Sequence, residues 1–137
     1  MYNSFMNKKH KNINIEPKNL DDCLIILQKD IPENIKEMLK NGEITTSSLH
    51  HTAGRIMRNK WKLWGDSELE QWFQSIGIWH PDDMSSIILD SFVSLIRGEP
   101  INLEEQVKFY QDYWKRIKEK EKHFTVQYSK EGKVKVV

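Results

Sequence analysis

Three of the chain's five histidines and four of its five tryptophans fall between residues 50 and 88, beside a basic stretch and a pair of adjacent carboxylates. His50, His51, His80, Asp82 and Asp83 are the residue types from which a zinc or iron site, or a hydrolytic centre, is built. Their spacing argues against it. His50 and His51 are neighbours, so on a helix their side chains diverge by about 100°. No His-Glu-x-x-His pattern is present. Cys23, the single cysteine, falls on an apolar helix face and reads as core rather than nucleophile. Alone it makes neither an internal disulfide nor a cysteine-based zinc cluster. No cofactor is expected.

Arg55, Arg58, Lys60 and Lys62 interleave with Trp61 and Trp64, a combination that can grip phosphates and stack bases. Four cations are few, and Glu68, Glu70, Asp82 and Asp83 follow closely. The sequence pI of about 7.8 is also far from that of a concentrated basic face. Nucleic acid is therefore not the expected partner. Protein binding is, because Trp and Arg are the side chains most enriched at binding hot spots. The expected binding residues are His50, Arg58, Asn59, Trp61, Trp64, Trp79, His80, Asp82 and Asp83. The alternative is an enzyme or metal-binding domain using His50, Arg58, His80 and Asp83. A plain structural role competes with both: His80 starting a helix, Arg58 paired with one of the acids, the tryptophans in the core.

The segment His50-x3-Gly54-x3-Arg58-Asn59-x-Trp61-x-Leu63-Trp64, followed by Gly77 and by His80-Pro81-Asp82-Asp83-Met84-Ser85, resembles an uncharacterised bacterial family known only as a domain of unknown function. The resemblance covers roughly residues 20–101. It implies a shared fold and a shared site in small cytosolic proteins or domains, and it names no chemistry.

The elements that must position these residues read as helices. Asn19 caps the first, with Leu20, Cys23, Leu24 and Leu27 on one side. Asp30, Pro32 and Glu33 predict the start of a second, which stops at Asn41-Gly42. Thr45 to Ser47 start a third that runs in one piece through Leu49, Ala53, Ile56 and Met57 toward Trp61. On it His50, Gly54, Met57 or Arg58, and Trp61 share a face. A glycine inside a helix costs about 1 kcal/mol relative to alanine, so Gly54 predicts close approach of a backbone or a large ring, with Trp61 or Trp64 as the ring. Asp66 caps a fourth helix, with Leu69, Trp72 and Phe73, ended by Gly77. His80 to Asp83 open a fifth, apolar around most of its circumference and therefore central. Asn102 and Glu105 form a capping box for a sixth, whose stripe is Leu103, Val107, Tyr110, Trp114 and Ile117. That stripe reads as core, or else as a dimer seam. Beyond Lys122 the period becomes two: Phe124, Val126 and Tyr128, then Gly132, Val134 and Val136, the pattern of a β-hairpin.

The expected fold is thus mainly α, a compact bundle of about six helices with a small C-terminal β-hairpin. It divides into a flexible arm over 1–18, a helical domain over 19–122 and a hairpin tail over 123–137. The expected core holds Leu24, Leu27, Met38, Ile56, Trp61, Trp72, Phe73, Ile87, Ile88, Phe92, Val107, Tyr110 and Trp114. With 137 residues, 38% of them hydrophobic, the chain can bury one core. It has no apolar run of the ~18 residues that span a bilayer. Its opening is polar and Asn/Lys-rich, so a membrane partner is not expected and the expected location is the cytoplasm. Residues 21–97 carry eight basic and twelve acidic groups, net −4, between ends of net +3 and +2. An acidic body with exposed tryptophans suits a basic protein partner. The function expected is that of a small binding module, an immunity or inhibitor protein that neutralises a bacterial toxin. A homodimer is compatible with the same pattern.

Overall fold

Asn19 opens the first helix through its side-chain oxygen, which accepts the Asp22 backbone N–H at 2.9 Å. The computed structural model describes residues 16–130. Among them are seven helices: α1 (Leu20–Asp30), α2 (Glu33–Lys40), α3 (Thr46–Leu49), α4 (Ala53–Lys60), α5 (Glu68–Ser75), α6 (Pro81–Arg97) and α7 (Leu103–Lys130). The helix α6 is the hub, and each of the other six packs against it. Its Met84, Ser85, Ile87, Ile88, Ser91 and Phe92 are fully enclosed. Burying an aliphatic or aromatic side chain contributes about 1.5–3 kcal/mol each, so this one helix organises the domain, as its all-round apolar character predicts.

Polar ties fix its neighbours. Arg97 donates from Nε and Nη2 to the carbonyls of Lys40 and Leu39, closing the C-terminal end of α2. Gln106 donates to Ser91 Oγ at 3.1 Å, and Trp114 Nε1 to Asp83 Oδ2 at 2.8 Å. The pairings 106–91 and 114–83 make α6 and α7 antiparallel.

The expected β-hairpin is not there. Residues 124–130, which include the first of its two strands, continue α7 as helix, and no strand occurs among the described residues. The physical reason is cooperativity. Extending an existing helix adds a hydrogen bond per residue without a new nucleus, whereas an isolated two-stranded hairpin is marginal. The Lys/Glu-rich run before Phe124 also favours helix. The second expected strand, with Val134 and Val136, lies outside the described residues, as does most of the arm over 1–18.

Other expectations need correction. The third helix breaks in two after Leu49, because the Leu49 carbonyl takes both the Thr52 N–H at 3.2 Å and the Thr52 hydroxyl at 3.3 Å. A threonine hydroxyl here competes with the helical ladder. Ser67, not Asp66, caps α5, and Pro32 rather than Asp30 precedes α2. Ile56 is 66% exposed rather than core. Met38 is half-buried, its neighbour Leu39 taking the interior place. Trp72, Val107 and Tyr110 pack on the core from its margin. Leu24, Leu27, Trp61, Phe73, Ile87, Ile88 and Phe92 lie in it.

Candidate functional site

Arg58 is 5% exposed. Its guanidinium turns back over Gly54 and meets α6. Nη1 donates to Ser85 Oγ at 2.8 Å, and Nη2 donates to the His50 carbonyl at 3.2 Å. Ser85 Oγ in turn donates to the Asp82 carbonyl at 3.1 Å. The Nε lies 3.4 Å from Asp82 Oδ1, an ion-pair contact without hydrogen-bond alignment. A buried cation must be paired and hydrogen-bonded, and the break after Leu49 supplies one acceptor for it. Gly54 is explained by the same group. A Cβ there would stand 3.0 Å from Arg58 Nη1 and 3.8 Å from Ser85 Oγ. What the glycine accommodates is therefore the guanidinium and not a tryptophan ring.

A second set surrounds the start of α6. The His80 ring stacks on Trp114 with centroids 3.7 Å apart and planes 19° from parallel. Trp114 holds Asp83 through its indole N–H. Burial pushes the Asp83 carboxyl up; the Trp114 hydrogen bond and the positive influence of His80 and His50 oppose that, and Asp82 adds to it. Burial likewise raises the Tyr110 phenol, against the opposing hydrogen bond with Ser86.

The expected site residues therefore divide. His50, through its carbonyl, and Asp82 come together around Arg58, with Ser85 bridging Arg58 to the Asp82 carbonyl. His80 and Asp83 assemble with Trp114 instead. His50 and His51 border a hollow of about 320 Å³ with Asp90 and Tyr110, whereas His80 and Asp83 line a separate cleft of about 750 Å³ with Trp79 and Trp114. Among the described residues no three His, Cys, Asp or Glu side chains converge as metal ligands. Cys23 is fully buried, and burial raises its thiol far above the ordinary range, the opposite of an activated nucleophile. Trp61 is core, Asn59 is exposed, and Trp64 and Trp79 stand 64% and 63% exposed.

Trp64 sits in a loop that is pinned on both sides. Trp61 and Leu63 are buried before it, and Ser67 Oγ donates to the Lys62 carbonyl at 2.9 Å after it. Lys62 and Asp66 both have positive φ, 51° and 62°. Left-handed backbone at a non-glycine residue costs about 1–2 kcal/mol, and such strain persists only where the surroundings enforce it. Sequence reasoning missed this loop geometry, Ser85 as a partner and Trp114 as a site residue. Only Ser85 carried a signal, its place at the end of the His80–Ser85 motif.

The second exposed tryptophan, Trp79, forms one wall of the larger cleft, which lies between the Gly77–Asp83 segment and α7. Gly77, at φ +88°, is needed there because the Gln111 amide of α7 occupies the place of a Cβ.

Fold and site together define a small helical domain built on one central helix, with a sealed arginine and two outward tryptophans. The chain belongs to the family described as Domain of unknown function (DUF6794), whose sequence profile matches residues 16–95. The match agrees with the resemblance to an uncharacterised family. It ends inside α6, so α7 lies beyond it. No curated protein and no solved structure matches the chain. Among the described residues, no helix is long and apolar enough to cross a membrane.

Proposed function

We propose that this domain is a protein-binding module of the inhibitor or immunity type, acting in the bacterial cytoplasm on a basic toxin-like partner. Trp64 carries the reading. A ring two-thirds exposed, on a loop held in strained backbone, is a pre-organised anchor of the kind that dominates binding energy. Exposed Asp66 and Glu68 follow it and exposed Lys60 and Lys62 precede it, and the net acidic body over residues 21–97 steers a basic protein toward it. The alternative, an enzyme or metal centre on His50, Arg58, His80 and Asp83, has less behind it. Arg58 is committed to Ser85 and the His50 carbonyl, and the other three residues border two different hollows.

The test is affinity purification of the tagged chain from its host, beside Trp64→Ala. One stoichiometric basic protein is expected with the native chain and its loss with the variant. That partner, expressed alone, should arrest growth, and co-expression of the domain should relieve the arrest. Equal retention by Trp64→Ala, or a monomer that carries no protein, overturns the proposal.

A further inference from the structure

Midway along α6, Asp90 and the Tyr110 of α7 are shared by two adjoining hollows that the function proposed above does not use. One, of about 320 Å³, is bordered by His50 and His51. The other, of about 280 Å³, is bordered by Glu105, Gln106 and Phe109. On an unbroken helix the side chains of neighbouring residues diverge by about 100°. The turn between α3 and α4 instead brings both imidazoles to the rim of one hollow, edge to face with centroids 5.0 Å apart. Apart from Leu89, each residue lining that hollow carries a hydroxyl, an imidazole or a carboxylate.

The formal charge of the two hollows has one sign. Asp90 and Glu105 are carboxylates, and no lysine or arginine lines either hollow. Among the described residues neither carboxylate has a cation within ion-pair distance. The cations around them are engaged elsewhere. Lys108 pairs with Asp112 at 3.0 Å, Arg58 is held by Ser85, Asp82 and the His50 carbonyl, and Arg97 donates to the carbonyls of α2. Burial pushes the Tyr110 phenol up, and Asp90 adds to it against the Ser86 hydrogen bond, so the ring stands near that carboxylate as a neutral aromatic. A carboxylate with a neutral ring attracts an organic cation by charge and through the ring face together. A metal ion does not fit, because among the described residues no three His, Cys, Asp or Glu side chains converge.

We infer that the paired hollows take a small aliphatic diamine or polyamine. One ammonium group meets Asp90 beside Tyr110, and another meets Glu105 beside Phe109. The methylene stem lies along the two rings, which stand edge to face with centroids 5.1 Å apart. The hydroxyls and imidazole nitrogens of the first hollow accept the remaining N–H bonds. Two carboxylates in adjoining hollows, without a cation of the chain's own, select a ligand with two cationic groups over a monoamine.

The probe is spermidine, titrated by isothermal calorimetry into the full chain at low salt and about pH 8, where a free imidazole is uncharged. One saturable site is expected. Butylamine, with a single charge, and magnesium chloride are the controls, and each is expected to bind at least about tenfold more weakly, roughly 1.4 kcal/mol. Asp90→Asn with Glu105→Gln should weaken spermidine by the same factor, and both side chains are exposed, so the circular dichroism should not change. The matched neutralisation Glu68→Gln with Glu70→Gln should leave binding intact, which separates a built site from attraction to the acidic body. In the native chain the imidazole NMR signals of His50 and His51 should shift with spermidine and those of His80 should not. Trp64→Ala should bind spermidine as the native chain does, so this inference and the function proposed above fail separately. Absence of a saturable site, equal binding of butylamine or magnesium, or unmoved His50 and His51 signals overturns the inference. So does indifference to the change at Asp90 and Glu105, or equal weakening by the change at Glu68 and Glu70.

Discussion

Arg58 Nη1 donates to Ser85 Oγ at 2.8 Å across the contact of α4 with α6. With the His50 carbonyl on Nη2, this ties three chain segments to one side chain. Deleting one partner of a buried, hydrogen-bonded charge costs about 2–4 kcal/mol, mostly by leaving the others unsatisfied. Arg58→Met should therefore destabilise the domain by about 2–3 kcal/mol in chemical denaturation. Arg58→Lys should recover less than half of that, because an ammonium cannot reproduce the planar fork. Full recovery by lysine would mean that charge alone matters.

Gly54 and Arg58 are predicted to be coupled. Alanine at an ordinary helical position stabilises by about 1 kcal/mol relative to glycine. At Gly54 the added methyl meets a guanidinium nitrogen at 3.0 Å, and that nitrogen is held by Ser85. Gly54→Ala should destabilise the native chain by about 1 kcal/mol or more and be neutral or stabilising beside Arg58→Met. A double-mutant cycle measures this, and additive effects would refute the coupling.

How much of this was legible follows from the range of the signal. The centrality of α6 was, because Met84 to Ile96 show too many apolar residues for one stripe. So was an ion pair of Arg58 with an acid at the start of α6. The break after Leu49 was not, since it depends on one threonine hydroxyl outcompeting a helical hydrogen bond. The role of Gly54 was half legible: spacing announced a close approach, but only folding the side chain of Arg58 back on its own helix identified the guest. Trp114 escaped the site because its stripe position looks the same whether the indole N–H faces solvent or the Asp83 carboxylate. The end of α7 was misread because alternation at Phe124, Val126 and Tyr128 also fits a helix that is already growing.

Asp83 makes stability depend on pH in a direction its environment dictates. Its carboxyl is pushed up, first by burial, so the folded chain favours the protonated form. Below the unfolded value near 3.8 the group is protonated in both states and the penalty is absent. As pH rises through the folded value, the folded chain must hold a half-buried carboxylate and this stability is lost. Asp83→Asn keeps an acceptor for Trp114 Nε1 and removes the titration. Parallel denaturation of both proteins from about pH 3.5 to 7 should show the native chain losing ground to the variant as pH rises. Parallel curves would remove Asp83 from the account.

The loop that presents Trp64 is expected to trade stability for shape. At Lys62 the φ of 51° is unfavourable for a side-chain-bearing residue. Among the described residues its side chain makes only an exposed ion pair, 3.8 Å from Glu16, and such pairs contribute little. Lys62→Gly relieves roughly 1–2 kcal/mol of strain and loses roughly 0.5–1 kcal/mol to the entropy of glycine. The variant should be more stable by about 0.5 kcal/mol in denaturation. The same freedom loosens the indole, so binding of the partner captured through Trp64 should weaken although no contact was removed. A variant that is destabilised would show that the Lys62 side chain holds the loop by contacts beyond that ion pair. Unchanged affinity in a stabilised variant would show that the strained backbone is not what orients Trp64.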